Sequence, residues 1–367
     1  MLTIDARWIE TSGIGTYLKK IIPGIIGHFS HVLPIMLLGN REKLRRHLGS
    51  CFSICNHIEL NSDMYTIQEQ IDLFFHIPKQ TKLYFSTHYN VPIFYSGKML
   101  VTVYDMMHLA MPQFVHGYHK HLYARLMFSA VRRKAESILT ISEFTKNEMQ
   151  RLLGEFEQTI TPIHLGVGEE WFSIPQMPSP HPRAYILYVG NIKPHKNLKV
   201  LVDSFISVSD RIKHDLVLVG KKEGFITGDQ EVAVLAQSLP ERIHFTGRVS
   251  DDRLHQYFRH AEALVFPSLY EGFGLPPLEA MAAGCPVVVS NAGSLPEVCG
   301  DAALYFNPYD EKDLTEKLLR VINDGELQGS LRHRGHERAK SFTWARCVDQ
   351  TCDVIERLLE APARNSL

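Results

Sequence analysis

A dozen short apolar runs punctuate the chain, and few of them alternate apolar with polar residues. In the front half they are 2–6, 31–39, 83–89, 99–105, 137–142 and 160–166. In the back half they are 185–190, 215–220, 242–247, 262–268, 285–290 and 302–306. A strand that faces water on one side alternates with period two, whereas a strand covered on both faces is apolar throughout. Between the runs lie segments of helical period. Leu254, Tyr257, Phe258 and Ala261 fall at i, i+3, i+4 and i+7, with Ser250 placed as an N-cap. Strands alternating with helices predict a doubly wound α/β fold with parallel sheets. Two sets of about six strands are too many for one sheet, and 367 residues agree with two domains. Prolines at 175, 178, 180 and 182 make 171–183 read as a stiff linker between them.

Charge and cysteine content narrow the class. The formal net charge is −1, which excludes a globally basic nucleic-acid binder. It conceals an asymmetry: residues 1–153 carry a balance of +6 and the remainder −7, so an anionic partner is expected at the front half. Uneven scatter of surface charge gives the same numbers. Six cysteines with no Cys-x-x-Cys pair and no zinc-finger spacing read as reduced thiols. The opening MLTIDARWIE carries Asp5, Arg7 and Glu10, unlike a signal peptide, and no apolar run approaches the ~20 residues of a membrane span. The expected place is the cytosol, in peripheral contact with the inner face of the cytoplasmic membrane.

Ligands of doubly wound sheets bind beyond the C-terminal ends of the strands, and four polar motifs fall there. In PSLYEGFGLPPLEAMAAGCPVVVS (267–290) a strand end leads to Glu271, Gly272, Phe273 and Gly274, then to a helix opened by Pro276 and Pro277, with Glu279 in its early turns. Glycines admit a ligand close to the backbone, and amides at a helix start attract phosphate. A carboxylate beside a phosphate site accepts from sugar hydroxyls, although a lone glutamate there also serves the helix dipole. In YVGNIKPHKNLKVLVDSF (188–205) Lys193, His195 and Lys196 follow a strand end. A lysine so placed neutralises a diphosphate, or is simply solvated; no Walker A string is present. In TSGIGTYLKK (11–20) Gly13 and Gly15 precede a helix and present amides to a phosphate, or form an ordinary turn. In VTVYDMMHLAMPQF (101–114) Asp105 and His108 follow a strand as a candidate polar or proton-relay pair, or as turn caps. His116, His119 and His121 lie close in sequence, with metal binding the less favoured reading.

These strings resemble the retaining nucleotide-sugar glycosyltransferases of family 4, which have the GT-B fold of two Rossmann-like domains facing each other across a crevice. GNIKPHKNL and the E-x7-E string inside PSLYEGFGLPPLEAMAAGCPVV carry the resemblance. DARWIETSGIGTYL, ISEFTKNEMQRLL, IHLGVGEEWF and AGSLPEVCGDAALYFNPYD extend it nearly end to end. It implies an acceptor-side domain over 1–170 with the last helix (about 344–367) packing back on it, a linker over 171–183, and a nucleotide-sugar domain over 184–343. It places Glu271 by the donor sugar and Glu279 on the donor ribose. Backbone amides of Gly272, Phe273, Gly274 and Leu275 serve the sugar and diphosphate, and Lys196 serves the diphosphate. Gly13 and Gly15 close on the donor from the other domain. Asn191 stands where the family often has Arg, so Lys193 is the candidate to supply that contact. Tyr104-Asp105 stands where many relatives have His-Asp, so His108 is the candidate substitute.

The expected activity is transfer of a hexose, mannose first, from a GDP- or UDP-linked sugar to a glycan or lipid-linked glycan of a bacterial polysaccharide. The resemblance implies no cofactor and no metal, and no D-x-D string suggests one. The alternatives are another GT-B glucosyltransferase acting on a soluble acceptor, and an inactive binding subunit that keeps the fold. A nicotinamide enzyme is disfavoured because Gly13-Ile14-Gly15-Thr16-Tyr17-Leu18 lacks a third glycine.

Overall fold

The computed structural model describes residues 1–361 apart from 12, 116 and 221–229, so His116 lies outside the described residues. Two units emerge: Met1–Gly166 with the chain from Trp344 onward, and Val167–Thr343. The proline-rich stretch 171–183 falls within the span of the second.

The first unit carries β1 (Leu2–Asp5), β2 (Ile35–Gly39), β3 (Asn56–Glu59), β4 (Leu83–Ser86), β5 (Met99–Val103), β6 (Ser137–Thr140) and β7 (Thr159–Pro162). They form one parallel sheet in the order β3-β2-β1-β4-β5-β6-β7. The second unit carries β8 (Tyr185–Val189), β9 (Asp215–Val219), β10 (Ile243–Gly247), β11 (Ala263–Phe266), β12 (Val287–Ser290) and β13 (Leu304–Phe306). Its order is β10-β9-β8-β11-β12-β13, again all parallel. In each sheet the winding reverses beside the first strand, between β1 and β4 and between β8 and β11. Doubly wound sheets bind ligands at such switch points.

The central strands are buried along their whole length, β1, β4, β5 and β6 among them, which is why they read as unbroken apolar runs. β3 escaped that reading. Its sequence, Asn-His-Ile-Glu, sits at the sheet edge with its ends exposed, so no apolar run marks it. Helix Asp251–His260 forms where the period places it, and Ser250 accepts from the Arg253 amide at 3.4 Å.

Helix Trp344–Glu360 packs against helix Ile14–Phe29 in the first unit. The two approach at Gly24, where a Cβ would lie 2.4 Å from Cγ1 of Val348. Lys98 secures the far end by donating to the Leu358 carbonyl at 2.8 Å. No helix among the described residues is long and apolar enough to cross a membrane.

Asp215 opens β9 as a buried hub. Its carboxylate meets His181 at 2.7 Å, Arg183 at 3.0 Å, Arg242 at 3.0 Å and His244 at 3.1 Å. His181, Asp215 and His244 are close enough to one another to suggest metal ligands. Two guanidinium groups already saturate the one carboxylate, however, and a dication would add charge to a site that is cationic without it.

Candidate active site

The second unit's site grows from two adjacent strand ends. β8 runs into a loop and a short turn, Pro194–Lys196, and β11 runs into the loop 267–274. The loops are tied together where the Leu269 amide donates to the His195 carbonyl at 2.8 Å. One residue further along the first loop and two along the second, Lys196 Nζ meets Glu271 Oε1 at 2.5 Å. The side chains are only 17% and 13% exposed, so water screens this pair less than a surface one. Lys196 also stands 5.5 Å from the centre of the Phe266 ring. Asn197 turns the chain into the next helix with φ of 55°, a left-handed conformation that Asn tolerates, and its side chain donates to the Pro308 carbonyl at 2.8 Å. Two residues 75 positions apart, singled out from separate motifs, are therefore in direct contact.

The loop after β12 braces the loop that carries Glu271. Gly293 has φ of 64°, and a Cβ there would come within 2.8 Å of both N and O of Glu271, so only glycine fits. Ser294 donates its hydroxyl to the Phe273 carbonyl at 2.7 Å and reaches the Glu271 carbonyl at 3.1 Å. The Phe273 ring is buried edge-on to Phe342, which leaves Phe273 only its backbone to offer a ligand. Gly274 then precedes helix Leu275–Ala282, with prolines in its first turn. The sequence reading missed Gly293 and Ser294, although both sit between a strand end and the Leu295-Pro296 start of a helix.

Glu279 lies half-buried in that helix. Burial, with Glu170 and Asp251 nearby, pushes its carboxyl up to about 7. It has no hydrogen-bond or ion-pair partner among the described residues, which leaves both oxygens for hydroxyl donors. Lys193 is exposed at the edge of the same loop as Lys196.

The first unit treats its candidates differently. Gly13 caps helix Ile14–Phe29 with φ of 75°. The Gly15 amide is already bound to the Thr11 carbonyl at 2.9 Å, and a Cβ on Gly15 would lie 2.5 Å from the Ile9 carbonyl oxygen. Gly15 therefore serves a close backbone crossing rather than an anion. The Asp105 carboxylate accepts from the Met107 amide at 2.9 Å, at the start of the short helix Met107–Ala110. His108 Nδ1 lies 3.1 Å from the Tyr89 hydroxyl. His121, from the histidine run, turns its Nδ1 to the His108 carbonyl at 3.0 Å. Tyr104, half-buried, donates its hydroxyl to the Thr87 carbonyl at 2.9 Å and so acts as a support.

The histidine that Tyr104 supports is His88, which the sequence reading placed inside a strand over 83–89. β4 ends at Ser86 instead, because Thr87 donates to the Asp5 carbonyl at 2.6 Å and Ser86 to the His88 carbonyl at 2.8 Å, which turns the chain. His88 stacks on Trp8 at 4.1 Å. Its Nδ1 accepts from the Asn90 amide at 3.1 Å, so the neutral ring carries its proton on Nε2. Burial, with His108 and Arg7 nearby, holds its pKa down at about 3. A neutral ring donor thus sits at the switch point between β1 and β4.

Two parallel, doubly wound sheets, each reversing its winding beside its first strand, are the architecture of the GT-B class of glycosyltransferase. The structure superposes on sucrose-phosphate synthase from Thermosynechococcus elongatus with a TM-score of 0.75, over 98% of this chain and 99% of that one at 19% identity. Residues 169–341 match the family "Glycosyl transferases group 1". O-antigen chain mannosyltransferase B of Escherichia coli is 32% identical over 74% of each chain. O-antigen chain mannosyltransferase RfbU of Salmonella typhimurium is 29% identical over 65% of each. The chain belongs to the group 1 glycosyl transferases and is a hexosyltransferase.

Lys196→Ala is expected to lower donor kcat/KM by about 1–3 kcal/mol, the scale of a charged hydrogen bond, as read from initial rates. Unchanged kinetics would remove Lys196 from the site. Glu279 gives a pH signature. An acid whose pKa rises on folding is protonated in the folded chain where the unfolded chain has ionised, so its contribution to stability falls from about pH 4.5 to about 7 and stays low above. Glu279→Gln should therefore melt above the parent protein at about pH 8, by at most ~3 kcal/mol, and level with it at about pH 4. Parallel melting curves at both values would contradict the buried acid.

Proposed function

We propose that the chain transfers mannose from a nucleoside-diphosphate mannose, GDP- or UDP-linked, to a glycan or lipid-linked glycan in polysaccharide biosynthesis, with retention at the anomeric carbon. The observation that carries this is the Lys196–Glu271 contact at the switch point between β8 and β11. The similarity to two O-antigen chain mannosyltransferases supports the choice of sugar.

Charge develops on the departing diphosphate as the anomeric C–O bond breaks. A lysine ammonium and amides at the start of helix Leu275–Ala282 are preorganised for that charge. Lys196 exchanges its bond to Glu271 for one to the diphosphate, and the released Glu271 carboxylate accepts from sugar hydroxyls. Glu279 accepts from the donor ribose. The acceptor hydroxyl attacks the same face that the diphosphate leaves. Its proton passes to a departing phosphate oxygen, so the C–O bond made replaces the C–O bond broken and Glu271 is an anchor rather than a nucleophile. No metal or cofactor enters this reading. A lipid-linked acceptor also sets the enzyme against an anionic membrane surface.

The test is transfer itself. Purified protein is incubated with GDP- and UDP-linked hexoses and a mannose-terminated acceptor, and the product is read by proton NMR. The expected product keeps the donor's anomeric configuration and forms from one mannose nucleotide. An inverted product would overturn retention, and transfer of another hexose alone would overturn the sugar.

A further inference from the structure

The first unit carries an apolar surface that the transfer reaction does not use. Helix Ile67–His76 buries Glu69, Gln70 and Leu73 on its inner face. Its outer face is apolar along one side, where Ile67 is 81% exposed, Phe75 73%, Phe74 55% and Ile71 43%, at helical spacing, and polar along the other, where Gln68 donates to Asp72 at 2.7 Å. Phe94, 64% exposed, extends the patch, its ring 6.1 Å from that of Phe74. Isolated exposed apolar residues are ordinary, but a contiguous group of this kind marks an interaction surface.

The neighbouring helix, Tyr118–Lys134, supplies the charge. Tyr65, just before the first helix, packs edge-on to Tyr123 of the second at 5.7 Å, and Leu73 and Ile77 share one hydrophobic core with Met127 and Val131. Helix Tyr118–Lys134 contains five Lys and Arg residues and no Asp or Glu. Arg132 and Lys134 are engaged with the carbonyls of Leu153, Glu155 and Tyr95. Lys120, Arg125 and Arg133 are exposed, and Leu122 and Leu126, also exposed, share a stripe with Arg125 and Arg133.

We propose that these two helices form a docking face for an anionic lipid surface, with Phe74, Phe75 and Phe94 entering the headgroup boundary and Arg125 and Arg133 on lipid phosphates. The proposal rests on the lipid-linked acceptor of the preceding section and names the surface that meets its membrane. Apolar side chains beside a helix that carries cations and no acid match the chemistry of an anionic interface, and Asp72, on the flank of the first helix, accepts from Gln68 at 2.7 Å. A two-fold pairing of copies through this face would bring like cationic helices together.

The test is co-sedimentation of the full chain with vesicles of phosphatidylcholine alone or with about a third phosphatidylglycerol. Binding is expected only to the anionic vesicles, with loss in about 0.5 M salt. Phe74→Ser with Phe75→Ser, and Arg125→Glu with Arg133→Glu, should each weaken binding about tenfold or more while melting like the parent. Equal binding to both vesicles, variants that bind like the parent, or no binding at all would each overturn the proposal. So would self-association that the Phe74 and Phe75 variants abolish, which would assign the face to a second copy. These vesicles contain no donor and no sugar acceptor. Normal transfer to a water-soluble acceptor alongside failed sedimentation would therefore overturn the docking face and leave the transfer reading standing.

Discussion

The Lys196–Glu271 contact is the interaction on which the proposed chemistry of the second unit depends. A carboxylate and an ammonium 2.5 Å apart, both largely removed from water, are held there by backbone rather than by their own attraction. The His195–Leu269 hydrogen bond fixes the two loops together, Asn197 sets the angle at which Lys196 leaves the turn, and Ser294 holds the backbone of Glu271 from the other side. A preorganised pair of this kind costs little reorganisation when an anion displaces one partner, which is the property that stabilises a developing charge. Glu279, eight residues on, has no side-chain partner among the described residues and a raised pKa, which suits the ribose contact proposed for it.

The first unit solves a different problem with buried charge. Arg7 takes both oxygens of Asp5, at 2.8 and 2.7 Å, and one oxygen of Glu69 at 2.6 Å. Burial works against the charge on Arg7, but the two carboxylates hold it protonated. The excess negative charge is spread through the Tyr84 hydroxyl, the Tyr65 amide and the Asn90 side chain. Removing one member would leave a buried charge uncompensated, so the network is rigid by necessity. Asn90 links it to the site, because its side chain is held by Glu69 while its amide fixes the tautomer of His88.

Much of this was legible in the sequence because parallel strands covered on both faces leave an apolar signature. Both sheets and the helix at 251–260 could be read that way, and edge strand β3 could not because it faces water. Lys196, Glu271 and Glu279 could be singled out because strand ends, glycines and prolines mark where a doubly wound sheet binds ligands, and the structure brings the first two into contact. Ser294 and the Arg7–Glu69 network were not, because each acts through a partner distant in sequence. His88 was hidden for a subtler reason: the apolar run into which it falls conceals a strand end made by side-chain hydrogen bonds of Ser86 and Thr87. Gly15 shows the converse, a glycine whose position suggested a ligand and whose constraint is a backbone crossing.

The most direct measurement is a crystal structure with a bound nucleoside diphosphate sugar. The diphosphate is expected beyond the ends of β8 and β11, with Lys196 Nζ turned from Glu271 to a phosphate oxygen and Glu279 on the ribose hydroxyls. A nucleotide bound elsewhere, with the Lys196–Glu271 pair still closed, would contradict it.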